Sequence, residues 1–195
     1  EVLQTILTEL DRNLPVDISA IWLLEDNELC LSAVRGIDAE QLESTCMAYP
    51  DSLYSMVDAM MSESPIIRMP EDPMWPGGIT AGYDKNYSSI VAPLRVGDRQ
   101  LGLLTLAHHA PGRYGHEAQA ISATFANYAA VAIENARLFD SAQEQAYASA
   151  ALLQVAQAVV GSSDLNEILN SIVRIMPILV GVKRVALYRW DNERE

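Results

Sequence analysis

The chain has 195 residues, half of them hydrophobic, which is enough for one domain of ordinary size plus a remainder. Its 13 Lys and Arg stand against 26 Asp and Glu, and the net charge of -13 repels phosphate backbones and anionic lipid surfaces, so neither nucleic acid nor a membrane is an expected partner. Cys30 and Cys46 are too few for a secreted disulfide framework and lack the paired spacing of a zinc site, and they read as reduced thiols of a cytoplasmic protein.

Val2, Leu3, Ile6, Leu7, Leu10 and Leu14 recur at helical spacing, which predicts an amphipathic helix over 2–13 stopped near Pro15. No cap precedes that pattern, so the chain reads as a piece of a longer protein. "DISAIWLL" and "ELCLSAVRG" are β-rich runs joined at "EDNE" as a hairpin. The first is apolar on both faces and needs cover on both. A helical pattern returns over 39–61, broken at "YPD", and "SPIIRMP" is a short strand. The stretch "EDPMWPGGITAGYDKNYS", with two prolines, three glycines and three aromatics, is too irregular for a tight turn and suits a loop that covers a site. "SSIVAPLRV" and "RQLGLLTLAHH" form a second hairpin about "VGDR", and Pro93 implies an edge position or a bulge.

From His116 the helical pattern continues to Gly161, about 45 residues or about 67 Å at 1.5 Å per residue. Ile121, Phe125, Tyr128, Ala132, Asn135, Phe139, Ala142, Ala146, Ser149, Leu153, Ala156 and Val160 fall at spacings of four and three, the seam of a coiled coil. The uncharged run between Glu144 and Asp164 carries three glutamines and three serines, which lipid would have to desolvate, so it does not read as a membrane span.

Laying Glu1 on Glu167 aligns the two ends of the chain without a gap: Leu3 meets Leu169, Ile6 meets Ile172, Val16 meets Val182 and Ala20 meets Ala186. A shared register through helix, connection, strand and acidic turn reads as a repeat. The chain then divides into a full domain over 1–140, a connecting coiled-coil helix over 141–163 that starts near 116, and the truncated start of a second such domain over 164–195. "APLRVGDRQLGLLTL" and "AVAIENARLF" resemble the closing strands and helix of the GAF family of bacterial signalling proteins, and "DISAIWLLEDNELCLSAVRGI" is similar to its opening hairpin. The resemblance implies an α+β fold: an antiparallel sheet with its terminal helices on one face and a small-molecule pocket on the other, followed by the long connecting helix.

Carried onto this chain, the resemblance places Trp22, Val34, Leu53, Tyr54, Trp75 and Tyr83 at the pocket, where aromatics either stack on a flat ligand or fill the space themselves. Features of particular subfamilies are missing. No ordered match to the dispersed Asn-Lys-Phe-Asp-Glu signature of cyclic-nucleotide binders occurs, and neither cysteine is followed by the His common at bilin attachment sites. His108 and His109 at a strand end and His116 at a helix start read as surface or cap residues, so no metal is expected and the cofactor is unknown. "STCM" offers Cys46 no basic neighbour to lower its pKa, which makes it a structural cysteine before a nucleophile. The leading expectation is a non-catalytic, cytoplasmic sensing or regulatory module of a multidomain signalling protein, a sensor histidine kinase by preference. It acts as a homodimer through its terminal helices and binds an unidentified small molecule. The alternatives are an enzyme reducing free methionine sulfoxide through Cys46, and a purely structural dimerisation module.

Overall fold

The computed structural model describes residues 2–36, 46–48, 54–75, 78–79, 82–161, 164–180, 182–188 and 190. They form two compact units, residues 1–135 and 136–195.

In the first unit, α1 (Val2–Asn13) buries Leu7 and Leu10, the apolar stripe of its sequence. β1 (Ile18–Glu25) and β2 (Glu28–Arg35) pair as an antiparallel hairpin. Its turn residues, Asp26 at φ 45° and Asn27 at φ 69°, are the types that best tolerate the left-handed region of a two-residue turn. β3 (Cys46–Ala48), α2 (Tyr54–Met61) and β4 (Ile66–Ile67) follow. β5 (Ser88–Val96) and β6 (Arg99–His108) make the second hairpin, turned at Gly97 with φ 58°. Among the described residues the sheet has six strands in the order β3-β2-β1-β6-β5-β4, every pairing antiparallel. Pro93 pairs with Leu103 on β6, while β4 reaches β5 only at Ile90 and Val91, so Pro93 has no ladder neighbour on its outer side. The proline therefore sits where its missing N–H costs no ladder bond, one residue before the irregularity at Leu94/Arg95.

Alternation along the strands sends side chains to two faces. On one, Ile21, Leu94, Leu101 and Leu104 join Leu7 and Leu10 of α1 and the alanines of the long helix α3 (His116–Gly161), among them Ala126, Ala129 and Ala130. On the other, Trp22, Leu29, Val91 and Leu103 pack with Ala59 and Met60 of α2 and with Trp75. The expected layers are present. The helix expected over 39–61 is corrected at Cys46–Ala48, which pair with Glu28–Cys30 as an edge strand. Three short β contacts and a covalent bridge outweigh helical periodicity there. The rest of that expectation before 46, and Leu53, lie outside the described residues.

α3 has 46 residues. Its side chains are buried or half-buried in the first unit at Ala118, Ser122, Ala126, Ala130 and Ile133, and beyond Ala136 the helix is largely exposed, with Leu138, Phe139, Tyr147, Leu152 and Leu153 all on the surface. In the second unit, Asp164 caps α4 (Leu165–Val180), its Oδ1 accepting from the Asn166 amide at 2.9 Å. A helix is thus present over the segment whose apolar pattern parallels that of α1. The described residues of 182–190 join no ladder. No helix is long and apolar enough to cross a membrane among the described residues.

Candidate functional site

The face of the sheet opposite α1 holds the pocket. Trp22 and Trp75 meet there, 1% and 3% exposed, with Ile18, Gly78, Ser89 and Thr105 around them. What remains between them is a cavity of about 10 Å³, the lower limit for a single water. Its polar groups are already engaged. Trp22 Nε1 donates to Thr105 Oγ1 at 3.1 Å, and Ser89 Oγ donates to the Leu106 carbonyl at 2.9 Å. Gly102, at φ 154°, lets β6 press against the Trp22 carbonyl where any Cβ would collide, and this seats the indole. Among the described residues, the pocket is filled by its own tryptophans.

Of the other expected pocket residues, Val34 is half-buried and packs beside Tyr83, Met74 and Tyr87. Tyr83 lies at that margin with its ring 5.8 Å from Tyr87. Tyr54 opens α2, and its side chain is outside those described, as is Leu53 altogether.

Sequence reasoning missed the residue that holds the covering loop, Arg68. It is 4% exposed, and its guanidinium donates to the carbonyls of Asp72 (2.7 Å), Pro73 (3.0 Å), Lys85 (2.8 Å) and Tyr87 (3.3 Å). Its charge also lies 4.5 Å above the Tyr87 ring. The Tyr87 hydroxyl in turn accepts from the Trp75 amide at 2.8 Å. Burial raises the Tyr87 phenol above its ordinary pKa, the Trp75 amide and Arg68 working the other way. A chain of contacts therefore runs from Arg68 through Tyr87 to Trp75, fixing the roof of the pocket. The available signal was a lone arginine in the apolar "SPIIRMP", immediately ahead of the loop.

A second group gathers where β1 begins and β6 ends. Asp17 Oδ2 lies 2.5 Å from His109 Nδ1 and accepts the His109 amide at 2.7 Å, and His108 Nδ1 is 4.0 Å away. Burial raises the Asp17 carboxyl, but the His109 amide and ring and the two imidazoles outweigh it and hold the group below its ordinary value. Tyr83 is pushed up to about 12 by burial and by the neighbouring Asp17 carboxylate. Expected as a surface residue, His108 is instead mostly buried, its side chain 15% exposed.

The cysteines are bonded: Cys30 and Cys46 form a disulfide across β2 and β3, correcting the expectation of two reduced thiols. Pairing brings their Cα atoms to 4.1 Å. The register also shows which side of the sheet the bridge takes. Cys30 pairs with Leu23, which packs on the helix side, while Leu29 and Leu31 flank it and pack with Trp22. The bridge therefore faces away from the pocket.

An antiparallel sheet with terminal helices on one face and a loop-roofed pocket on the other defines an α+β module whose two faces do different work. Residues 1–135 match the GAF domain family, and the chain belongs to it. Among solved structures it is similar to the GAF domain/HD domain protein from Geobacter sulfurreducens, at 14% identity over 70% of this chain and 92% of that one, with a TM-score of 0.59. It is also similar to the GAF domain of a two-component sensor histidine kinase from Bacillus halodurans, at 19% identity over 71% and 97%, with a TM-score of 0.55. A third is the type II free methionine-R-sulfoxide reductase from Thermoplasma acidophilum, at 18% identity over 66% and 86%, with a TM-score of 0.53. At these identities the likeness concerns the fold. No curated protein matches the chain.

Proposed function

We propose that the chain is a non-catalytic regulatory module of a multidomain signal-transduction protein, with a sensor histidine kinase as the preferred context, and that it passes its state along α3 within a homodimer. The carrying observation is the apolar row left on the surface of that helix: Tyr128 is 68%, Phe139 69% and Leu153 59% exposed. Side chains of this kind at seam spacing are placed to pack on a second copy. The histidine kinase among the structural neighbours supports the context.

The self-filled pocket gives the sensing half of the reading its form. A small molecule enters by displacing Trp75 and the loop that Arg68 ties down, and it acts only as far as it prefers that displaced arrangement. The sheet carries the change to α1 and α3 on its other face. Residues 164–195 belong, on this reading, to a second module of the same kind.

Sedimentation equilibrium of wild type, Phe139→Glu and Leu153→Glu tests the relay. A dimer that both substitutions dissociate is expected, and a wild type that stays monomeric at high micromolar concentration ends the proposal. A second reading, reduction of free methionine sulfoxide, draws on the bonded cysteines and the reductase neighbour. The bridge faces the helices, away from the pocket, which favours the non-catalytic reading. Turnover by wild type that Cys46→Ser abolishes would reverse the preference.

A further inference from the structure

We propose that Asp17, His108 and His109 form a binding site for a divalent transition-metal ion, with zinc the best match to the donors. The site goes beyond the regulatory role above and does not depend on it.

The sheet builds it. β1 and β6 are neighbours with Ile18 opposite Ala107, and the Asp17 amide donates to the Ala107 carbonyl at 2.9 Å. The residue before β1 is thereby held beside His108, which ends β6, and His109, which follows it. One ligand atom from each of Asp17, His108 and His109 lies within 4.8 Å of the others. The imidazoles stack with centroids 4.5 Å apart and planes 21° from parallel, so both rings present an edge to the same carboxylate. His108 Nδ1 accepts the Ala110 amide at 3.0 Å, which marks it as the unprotonated nitrogen carrying the lone pair a metal needs.

Two imidazoles and one carboxylate are the donor set of zinc and its first-row neighbours, whereas calcium and magnesium take oxygen. Donors bound at about 2.0–2.1 Å in a tetrahedron stand about 3.4 Å apart. Here the Asp17 oxygen is 2.5 Å from one ring nitrogen and 4.0 Å from the other, on either side of that value. A shift of under about 1 Å by the carboxylate brings both into range. The ion takes the place of the proton between Asp17 Oδ2 and His109 Nδ1, which passes to solvent, and it displaces the Ala110 amide from His108. His109 is 68% exposed, which leaves a path for the ion and room for a water as fourth ligand. Tyr83 lies near enough to feel the Asp17 charge, and its ring packs on Tyr87.

Calorimetric titration of zinc chloride into the tag-free, chelator-stripped full chain, under non-reducing conditions, tests the site. One zinc per chain with a micromolar or lower Kd is expected. Asp17→Asn and His109→Ala should each weaken binding about a hundredfold. His116→Ala, and Cys30→Ser with Cys46→Ser, should leave it unchanged. His109 is exposed enough for its removal to leave the fold intact, which far-UV circular dichroism of the metal-free variants checks, so that variant decides the matter if Asp17→Asn fails to fold. Unsaturable binding, equal binding by wild type and His109→Ala, or binding lost only with the cysteines, where Glu28 also lies, overturns the proposal.

Discussion

Removing the guanidinium of Arg68 should release the roof of the pocket before it unfolds the sheet. Four hydrogen bonds from a charged donor end on loop carbonyls at 2.7 to 3.3 Å. Such bonds contribute about 1.5–3 kcal/mol each, but the carbonyls can return to water once the loop lifts, so the losses do not add in full. About 3 kcal/mol is the net expectation for Arg68→Ala, and about 2 for Arg68→Lys, which keeps the charge and loses the planar fork. With a urea slope of about 2 kcal/mol/M, the alanine variant should unfold about 1.5 M earlier. Tryptophan emission supplies the local readout. Trp22 and Trp75 are buried and Trp190 is 87% exposed, so a red shift before the main transition reports Trp75 meeting water. An unchanged midpoint together with unchanged emission in Arg68→Ala would show that the loop is held by something else.

Trp75→Ala should cost about 3–5 kcal/mol and leave an apolar cavity. Added indole should fill it and raise the thermal midpoint, and a midpoint indifferent to indole would mean that the space collapses. Replacing Cys30 and Cys46 together by serine opens a loop of 16 residues and should lower stability by about 3 kcal/mol in a chemical denaturation series, whereas no change would count against the bridge. Tyr87 and Tyr114 are both raised above 10.0, chiefly by burial, so the folded state prefers their neutral forms. The stability they contribute is intact below the unfolded value and is lost as pH rises past it. Tyr114→Phe gives up the bond to the Pro15 carbonyl, about 1 kcal/mol at neutral pH, and should unfold less steeply with alkali than wild type.

The hairpins were legible because their signals are local. Asp26-Asn27 and Gly97-Asp98 sit between alternating apolar runs, and both turns form where those pairs stand. Trp22 and Trp75 could be placed at the pocket by resemblance, but only packing decides that they fill it. β3 was hidden because Cys46–Ala48 has three residues, too few to display a period of two against a helical background. Arg68 reads as an ordinary polar residue until four carbonyls from 4 to 19 positions away converge on it. Asp17 and His109 are 92 positions apart, and only the adjacency of β1 and β6 brings them together.

That adjacency also sets an order of assembly. Trp22 of β1 and Thr105 of β6 are bonded across 83 positions, so the strand made first finishes its ladder only when the last has been translated. Until then the β1–β2 hairpin presents an apolar, unpaired edge, the kind that templates contacts between nascent chains. Closing so long a loop is slow compared with forming either hairpin. A ribosome halted before residue 102 therefore holds a chain whose first strand still lacks its β6 partner, and the price of keeping that strand at the centre is borne during synthesis.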